Sequence, residues 1–496
     1  MALSPYQQLQ EEFAKAQALE AAAHYLRFDA ETQMPAGVAA DRGEQLAALE
    51  LERHALLAAP KIARLIDRAM ASTHQLDALD IDNLERMRRV KDCTLALPKS
   101  LLVRRARASA KALAARRAYL RGEDEQSLFS ALAELLALAQ DRAALLAKAF
   151  NLSPEDSLLD EIHPGLTRAQ VEPLLKSLSN RLPELNAEQS AQLEVRSSVT
   201  QSVSETQLKH AISHILKRLP VPLERIQIEL GDSTQVLSKV PGDYRLSLSI
   251  SATEPWVGLR MLLGVLTDAL HHHALPHPLQ RQPVSTERSR LLRTAERYFW
   301  GQRWSREPAC WQGFNNADSG VFWAEHTSAQ LLAQCTQSGA SETNLWSTTE
   351  WGFFAKAHVF YDLDQRLFDG ELKVNELLDA YRDAQHRLPA LMAADPDGVI
   401  SEALWVNGEW FRPIQWLAGA ALSVQVWELI KAEQEQLLAA ASQGDVLSLW
   451  HWWREQVETP LGSQSLDTVL TQLTGRALSA QPIFRHFEPA VEAHSG

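Results

Sequence analysis

Histidines crowd at residues 271–277, in the run His271-His272-His273-Ala274-Leu275-Pro276-His277, and clustered imidazoles invite a metal ion. The run closes a segment, Gly264-Val265-Leu266-Thr267-Asp268-Ala269-Leu270, that reads as helix. Consecutive helical residues point about 100° apart, so the three adjacent imidazoles cannot meet at one ion. Pairs that share a face are four residues apart: Thr267/His271, Asp268/His272 and His273/His277. The last contains Pro276, which ends the helix and spoils that pairing. Asp268 with His272, joined by Glu287 or Glu296 from the next helix, is therefore the pair that could hold a cation. The competing reading, preferred here, is a polar cluster at a helix C-terminus, where the dipole favours imidazolium.

Other chemistry is sparse. Glu325-His326 lacks a second ligand at helical spacing, and His358 sits in an amphipathic run that packs it inward. Cys93, Cys310 and Cys335 are far apart and form no C-x-x-C, so they read as reduced thiols of a core. There is no G-x-S-x-G elbow and no G-x-x-x-x-G-K-[ST] phosphate loop. Trp405, Trp410 and Trp416 suit either packing or a groove for a peptide or apolar ligand.

The elements that must position these residues are mostly helical. Residues 1–190 repeat apolar side chains at three- and four-residue spacing, as at Leu46, Leu49, Leu51, Leu56 and Leu57. Short breaks such as Met34-Pro35-Ala36-Gly37 and His163-Pro164-Gly165 suit helix–helix connections. Within this part, Leu101–Glu123 carries a dense run of arginines and lysine, read as a solvated face with acidic partners rather than a nucleic-acid face. Residues 191–255 hold a small β region, where Arg225–Leu230 and Tyr244–Ile250 alternate apolar and polar residues. Residues 256–496 return to helix. With no repeat and no low-complexity linker, residues 1–496 read as one domain.

Composition agrees with this. The 496 residues include 49 Lys+Arg and 62 Asp+Glu, a formal charge of −13, with 46% hydrophobic and 22% charged. A net acidic surface repels phosphates, so nucleic acid is not an expected partner. No run approaches the roughly 18 apolar residues of a membrane span, and Met1–Phe13 lack the apolar stretch of a signal peptide. The cytoplasm is the expected location.

Several segments, in order, resemble the carboxypeptidase Taq family of thermostable metallocarboxypeptidases. Phe28-Asp29-Ala30-Glu31-Thr32-Gln33-Met34-Pro35 and Gly43-Glu44-Gln45-Leu46 resemble its W-D-x-E-T-x-M-P…E-Q-L signature. Gly242-Asp243-Tyr244-Arg245-Leu246 resembles its G-D-V-R-[IL] strand, and Gln282-Pro283-Val284 with Trp300 falls where its third-ligand helix belongs. Leu404-Trp405 and Arg412-Pro413 resemble its late H-W and F-P elements. The resemblance implies an all-α fold: a large, mainly helical metallocarboxypeptidase-like domain with a small antiparallel sheet and a long central groove, in a family whose members often form homodimers.

The resemblance also sets a register for the site. The family's G-[VT]-[LI]-H-E-x-x-H helix, laid on Gly264-Val265-Leu266, puts Thr267 at the first ligand, Asp268 at the base and His271 at the second ligand. Counting its H-E-S-Q-S-R-L-W motif back from Trp300 puts Arg293 at the His, Thr294 at the metal-binding Glu and Glu296 at the Gln. Leu404 stands for the H-W histidine, Phe411 and Gln415 for the tyrosines around the F-P element, and Arg412 for its Phe. Anchoring the helix on His273 instead would place Ala269 and Leu270 at the H-E pair, which is worse for catalysis.

Threonine hydroxyls are poor zinc donors beside imidazole or carboxylate. The expectation is therefore a scaffold without catalytic residues and without a cofactor, Thr267, Asp268, His271 and Thr294 being remnant positions. Asp268 is the one candidate base, and His271 and His272 are the candidate metal ligands. The groove candidates are Trp405, Phe411, Arg412 and Gln415. Three functions follow as expectations: a pseudopeptidase that binds a peptide or protein partner; a divergent metallocarboxypeptidase with rebuilt zinc or cobalt ligands; or a small-molecule binder using the old groove.

Overall fold

The computed structural model of the chain describes residues 3–32, 34–192, 203–230, 235–248, 255–287, 289–315, 320–337, 345–346, 348–392, 398–401 and 404–487. It opens with α1 (Pro5–Thr32), α2 (Ala39–Leu57), α3 (Pro60–Met70) and α4 (Ala78–Ala96). Four more helices follow: α5 (Lys99–Leu120), α6 (Glu125–Phe150), α7 (Pro154–Ile162) and α8 (Arg168–Gln192). Side-chain caps start several of them. Asp77 accepts from the Asp80 N–H at 2.8 Å, and Ser153 from the Asp156 N–H at 3.0 Å. Asn151, at φ 56°, closes α6 in the left-handed conformation its short polar side chain tolerates. α9 (Glu205–Lys217) then leads into the sheet.

The sheet has three strands, β1 (Ile226–Leu230), β2 (Gln235–Val240) and β3 (Asp243–Leu248), in the order β1-β3-β2. Strand β3 runs antiparallel to β2 and parallel to β1. The expected all-antiparallel sheet is thus corrected to a mixed one. The alternating patterns of β1 and β3 were legible, but β2 lies between them in sequence and reverses the chain once more. Its hairpin with β3 turns at Pro241-Gly242, where Gly242 sits at φ 85°. Residues 249–250 of the expected second strand lie outside the described residues.

The remaining helices that concern the site are α10 (Pro255–Ala274), α11 (Pro283–Thr286) and α12 (Arg290–Tyr298). They are followed by α13 (Pro308–Gly313), α14 (Ser328–Gln337), α15 (Glu350–Phe368), α16 (Leu377–Arg387), α17 (Gly398–Ser401) and α18 (Arg412–Glu433). Ser289 caps α12, accepting from the Leu292 N–H at 3.2 Å. α12 continues into a π-helical turn, Phe299–Arg303.

Helix α12 is sandwiched between α10 and α18 because small residues stand at the crossings. A Cβ on Gly264 would come within 2.9 Å of the Arg297 carbonyl oxygen. One on Gly419 would come within 2.9 Å of both the Leu291 carbonyl oxygen and the Thr294 Cβ. The large core spans these helices and α5–α9, while α1, α3 and α4 close over a separate small core around Leu9, Phe13, Leu65 and Leu84. Between the two runs a long groove. No described helix is long and apolar enough to cross a membrane.

Candidate functional site

The groove has a volume of about 1150 Å³. One wall comes from α1, α2 and α4–α6, the other from α10, α12 and α18. Thr267, Asp268, Arg293 and Thr294 all reach it, so the register taken from the sequence does bring these positions together.

Their partners define what they can do. The Thr267 hydroxyl is buried and donates to the Gly264 carbonyl at 2.8 Å, a bond back onto its own helix. Asp268 is clamped by Arg293, whose Nε donates to Oδ1 at 3.0 Å and Nη2 to Oδ2 at 2.9 Å. Such a two-pronged contact is the strong form of a carboxylate–guanidinium pair. Thr294 is buried where α12 meets Gly419 of α18.

The histidines diverge, as the helical rotation demands. His271 is buried with Nδ1 against the Glu458 carboxylate, which comes from a π-helical turn, Arg454–Glu458. His272 turns to the sheet, where its Nδ1 meets the Tyr244 hydroxyl at 3.1 Å and the two rings stack with centroids 5.8 Å apart. His273 is exposed. Glu287, considered as a further ligand, is exposed and pairs with Arg53 at 3.4 Å. The structure therefore does not bring Asp268, His272 and Glu287 to one point. Among the described residues no three His, Cys, Asp or Glu side chains form a group that could hold a metal.

The four groove candidates divide. Arg412 and Gln415 line the groove, Arg412 being paired with Glu409. Trp405 and Phe411 do not line it, since both are fully packed around the buried carboxylate of Asp364. The Trp405 indole N–H donates to Oδ1, and the Phe411 backbone N–H donates to Oδ2 at 3.0 Å. Phe411 sits at φ 58°, a left-handed conformation that a bulky residue rarely adopts. Asp364 thus anchors the strained turn that delivers Arg412 and Gln415 to the groove. Trp410 and Trp416, read only as packing or groove residues, do reach it.

Sequence reasoning missed the groove's arginine content. Arg27, Arg53, Arg89, Arg105 and Arg142 face it from the N-terminal helices, and of these the basic run 101–123 contains only Arg105. His163 also lines it. Burial, then the nearby Arg86, pushes its imidazole down to about 4, so it is neutral, with Nδ1 at 2.8 Å from the Ser289 hydroxyl.

The profile of one family, the carboxypeptidase Taq (M32) metallopeptidases, matches residues 8–491. The chain belongs to that family. The fold agrees. Trypanosoma cruzi metallocarboxypeptidase 1 superposes with a TM-score of 0.81 at 20% identity, over 97% of this chain and 98% of that one. The M32 carboxypeptidase of Deinococcus radiodurans R1 gives 0.78 at 19% identity, over 97% of each chain. Pyrococcus furiosus carboxypeptidase, solved in an apo-Mg form, gives 0.81 at 16% identity over 98% of each. No curated protein sequence matches the chain.

Membership corrects one expectation. A cofactor-free protein was anticipated, but this is a metallopeptidase family, and a metal is the cofactor of its chemistry. In the register taken from its metal helix, the ligand and base positions hold Thr267, His271 and Asp268. Thr267 is a hydroxyl bonded to its own helix, and the two oxygens of Asp268 face a guanidinium. What the site offers is a large, charged groove in which Asp268 is engaged by Arg293.

Proposed function

We propose that this carboxypeptidase Taq-family protein is a pseudopeptidase, using the family's groove to bind a peptide or a segment of a protein partner without hydrolysing it. One observation carries the reading. By the family register, Asp268 stands at the base and Arg293 at a histidine of the third-ligand motif, and these two positions now bind each other. A carboxylate whose two oxygens accept from a guanidinium cannot also take a proton from an attacking water without giving up that pairing. Thr267 and Thr294 at the ligand positions support the same reading.

Family membership favours a second reading, a divergent metallocarboxypeptidase that releases C-terminal residues. One experiment separates them. Protein loaded with Zn²⁺ or Co²⁺ is assayed on blocked dipeptides, with bound metal quantified and peptide affinity measured in parallel. The pseudopeptidase reading expects peptide binding without turnover. Stoichiometric metal together with C-terminal trimming that Asp268→Ala abolishes would overturn it. The −13 charge and three free cysteines fit a protein of the reducing cytoplasm, which we propose as its location.

A further inference from the structure

The basic run on α5 is not uniform. Its outward residues meet acidic partners: Arg107 reaches Glu44 at 2.6 Å, Arg104 reaches Asp141 at 3.8 Å, and Lys111 reaches Glu134 at 4.0 Å. Arg105 points the other way, half-buried in the groove wall. Among the described residues it makes no hydrogen bond and no ion pair.

The charges that act most strongly on Arg105 come from four neighbouring helices. Arg142 of α6 and Arg27 of α1 repel it, while Glu50 of α2 and Glu161 of α7 attract it. Repulsion from Arg142, then burial, pulls its guanidinium down to about 10. Both carboxylates are already engaged elsewhere: Arg27 donates to Glu50 at 2.9 Å, and Arg142 donates to Glu161. Three guanidiniums thus share two carboxylates, and the one left over faces an open groove. Its forked donors match a carboxylate. Apolar surface lies along the same groove, from Phe28, Leu135, Leu138 and Trp416. The volume of about 1150 Å³ exceeds what a small inorganic anion fills and suits an extended chain.

We propose that Arg105, backed by Arg142 and Arg27, is an anion subsite of the groove that takes the carboxylate side chain of an acidic peptide. This rests on the peptide-binding reading above and names the ligand's chemistry. A charge-assisted pair in this position favours an acidic over an isosteric neutral side chain by roughly tenfold to a hundredfold.

The test compares a fluorescein-labelled tetrapeptide containing two glutamates with its glutamine counterpart, by fluorescence anisotropy on the full chain. The expected result is at least tenfold tighter binding of the acidic peptide. Arg105→Gln erases that preference, Arg105→Lys retains part of it, and Arg104→Gln, on the outward face of the same helix, leaves it unchanged. Removing a repelled cation is expected to leave the melting temperature unchanged or higher. Should Arg105→Gln melt lower, wild-type protein alone decides the matter, because raising salt weakens only the acidic peptide if the subsite exists. Equal affinity for both peptides would overturn the subsite while leaving the groove a peptide site. If neither peptide binds, the peptide reading fails. The subsite is then judged by inorganic phosphate: a rise in melting temperature that Arg105→Gln removes supports it, and no rise overturns it.

Discussion

Helix α15 carries two buried carboxylates whose fates are opposite. Glu350, at its first turn, receives Arg303 Nη1 at 3.0 and 2.9 Å on its two oxygens, with Arg306 at 3.8 Å and His486 at 3.5 Å. Burial alone would raise its pKa, but Arg303, His486 and Arg306 outweigh that and hold it well below the usual carboxylate range. Asp364, near the other end, is fully buried, and among the described residues it accepts only from the Trp405 and Phe411 N–H groups. There burial wins, and the acid is pushed up to about 8. Desolvation of a carboxylate is similar at both ends, and the presence of a cation decides the sign. By its geometry, Asp268 belongs with Glu350: it is a carboxylate held by a guanidinium.

The largest effect expected from this contrast is at Glu350. Glu350→Gln keeps the shape but leaves Arg303, Arg306 and His486 crowded without their counter-charge. Breaking such a buried pair costs about 3–5 kcal/mol, measured by urea unfolding at pH 7. The pH sign follows from the lowered folded-state pKa. The stabilisation is complete above the unfolded carboxylate range and is lost as pH falls through and below it. Glu350→Gln should therefore flatten the acid limb of the stability profile. A loss under about 1 kcal/mol would remove the distinction between the two ends of α15.

Asp364 should show the reverse slope. Its folded-state pKa of about 8 lies above that of an unfolded aspartate, near 3.9. Between those values the folded protein holds a proton that the unfolded chain does not. The contribution is therefore complete below about pH 4, shrinks as pH rises, and is gone above about 8. Asp364→Asn, neutral throughout, should remove on the order of 3–4 kcal/mol of pH dependence between pH 5 and 8. Thermal melts across that range check it, and an unchanged slope would place the titration elsewhere. Because Asp364 holds the Phe411 turn, the variant should also loosen the presentation of Arg412 and Gln415.

How much of this was legible in the sequence differs between fold and site. Helical periodicity exposed α1–α8 but not α9, which falls in the stretch read as the β region, and strict alternation exposed β1 and β3. Strand β2, Gln235–Val240, was not singled out because its pairing depends on the neighbouring strand. At the site, Thr267, Asp268 and Thr294 of that register line the groove, while His271 turns away to Glu458. The Asp268–Arg293 clamp was not legible, because it depends on how closely α10 and α12 cross at Gly264. His271 and Glu458 meet across a long stretch of chain, so no local spacing announces them. Trp405 and Phe411 were offered as groove residues, but an apolar side chain carries no mark telling a groove from the core behind it. Arg105 differs from Arg104 and Arg107 only in which side of α5 it occupies.

The smallest effect expected is at the Asp268–Arg293 pair, and it tests whether Asp268 truly resembles Glu350. The side chains of the two are 16% and 19% exposed, so water screens the pair more than it does Glu350. Its bidentate geometry still lifts it above an ordinary surface ion pair. A double-mutant cycle of Asp268→Asn and Arg293→Gln should give a coupling energy of about 1–2 kcal/mol, between the exposed and buried limits, falling as salt is added. Coupling near zero would mean that Arg293 only brushes the carboxylate. Asp268 would then be a solvated acid facing the groove, free to serve as a base, and the contrast drawn from α15 would not extend to it. A measurable, salt-sensitive coupling would instead mean that two positions of the family's catalytic motifs now serve each other, so that the groove presents a guanidinium-bound carboxylate where the family register puts the base.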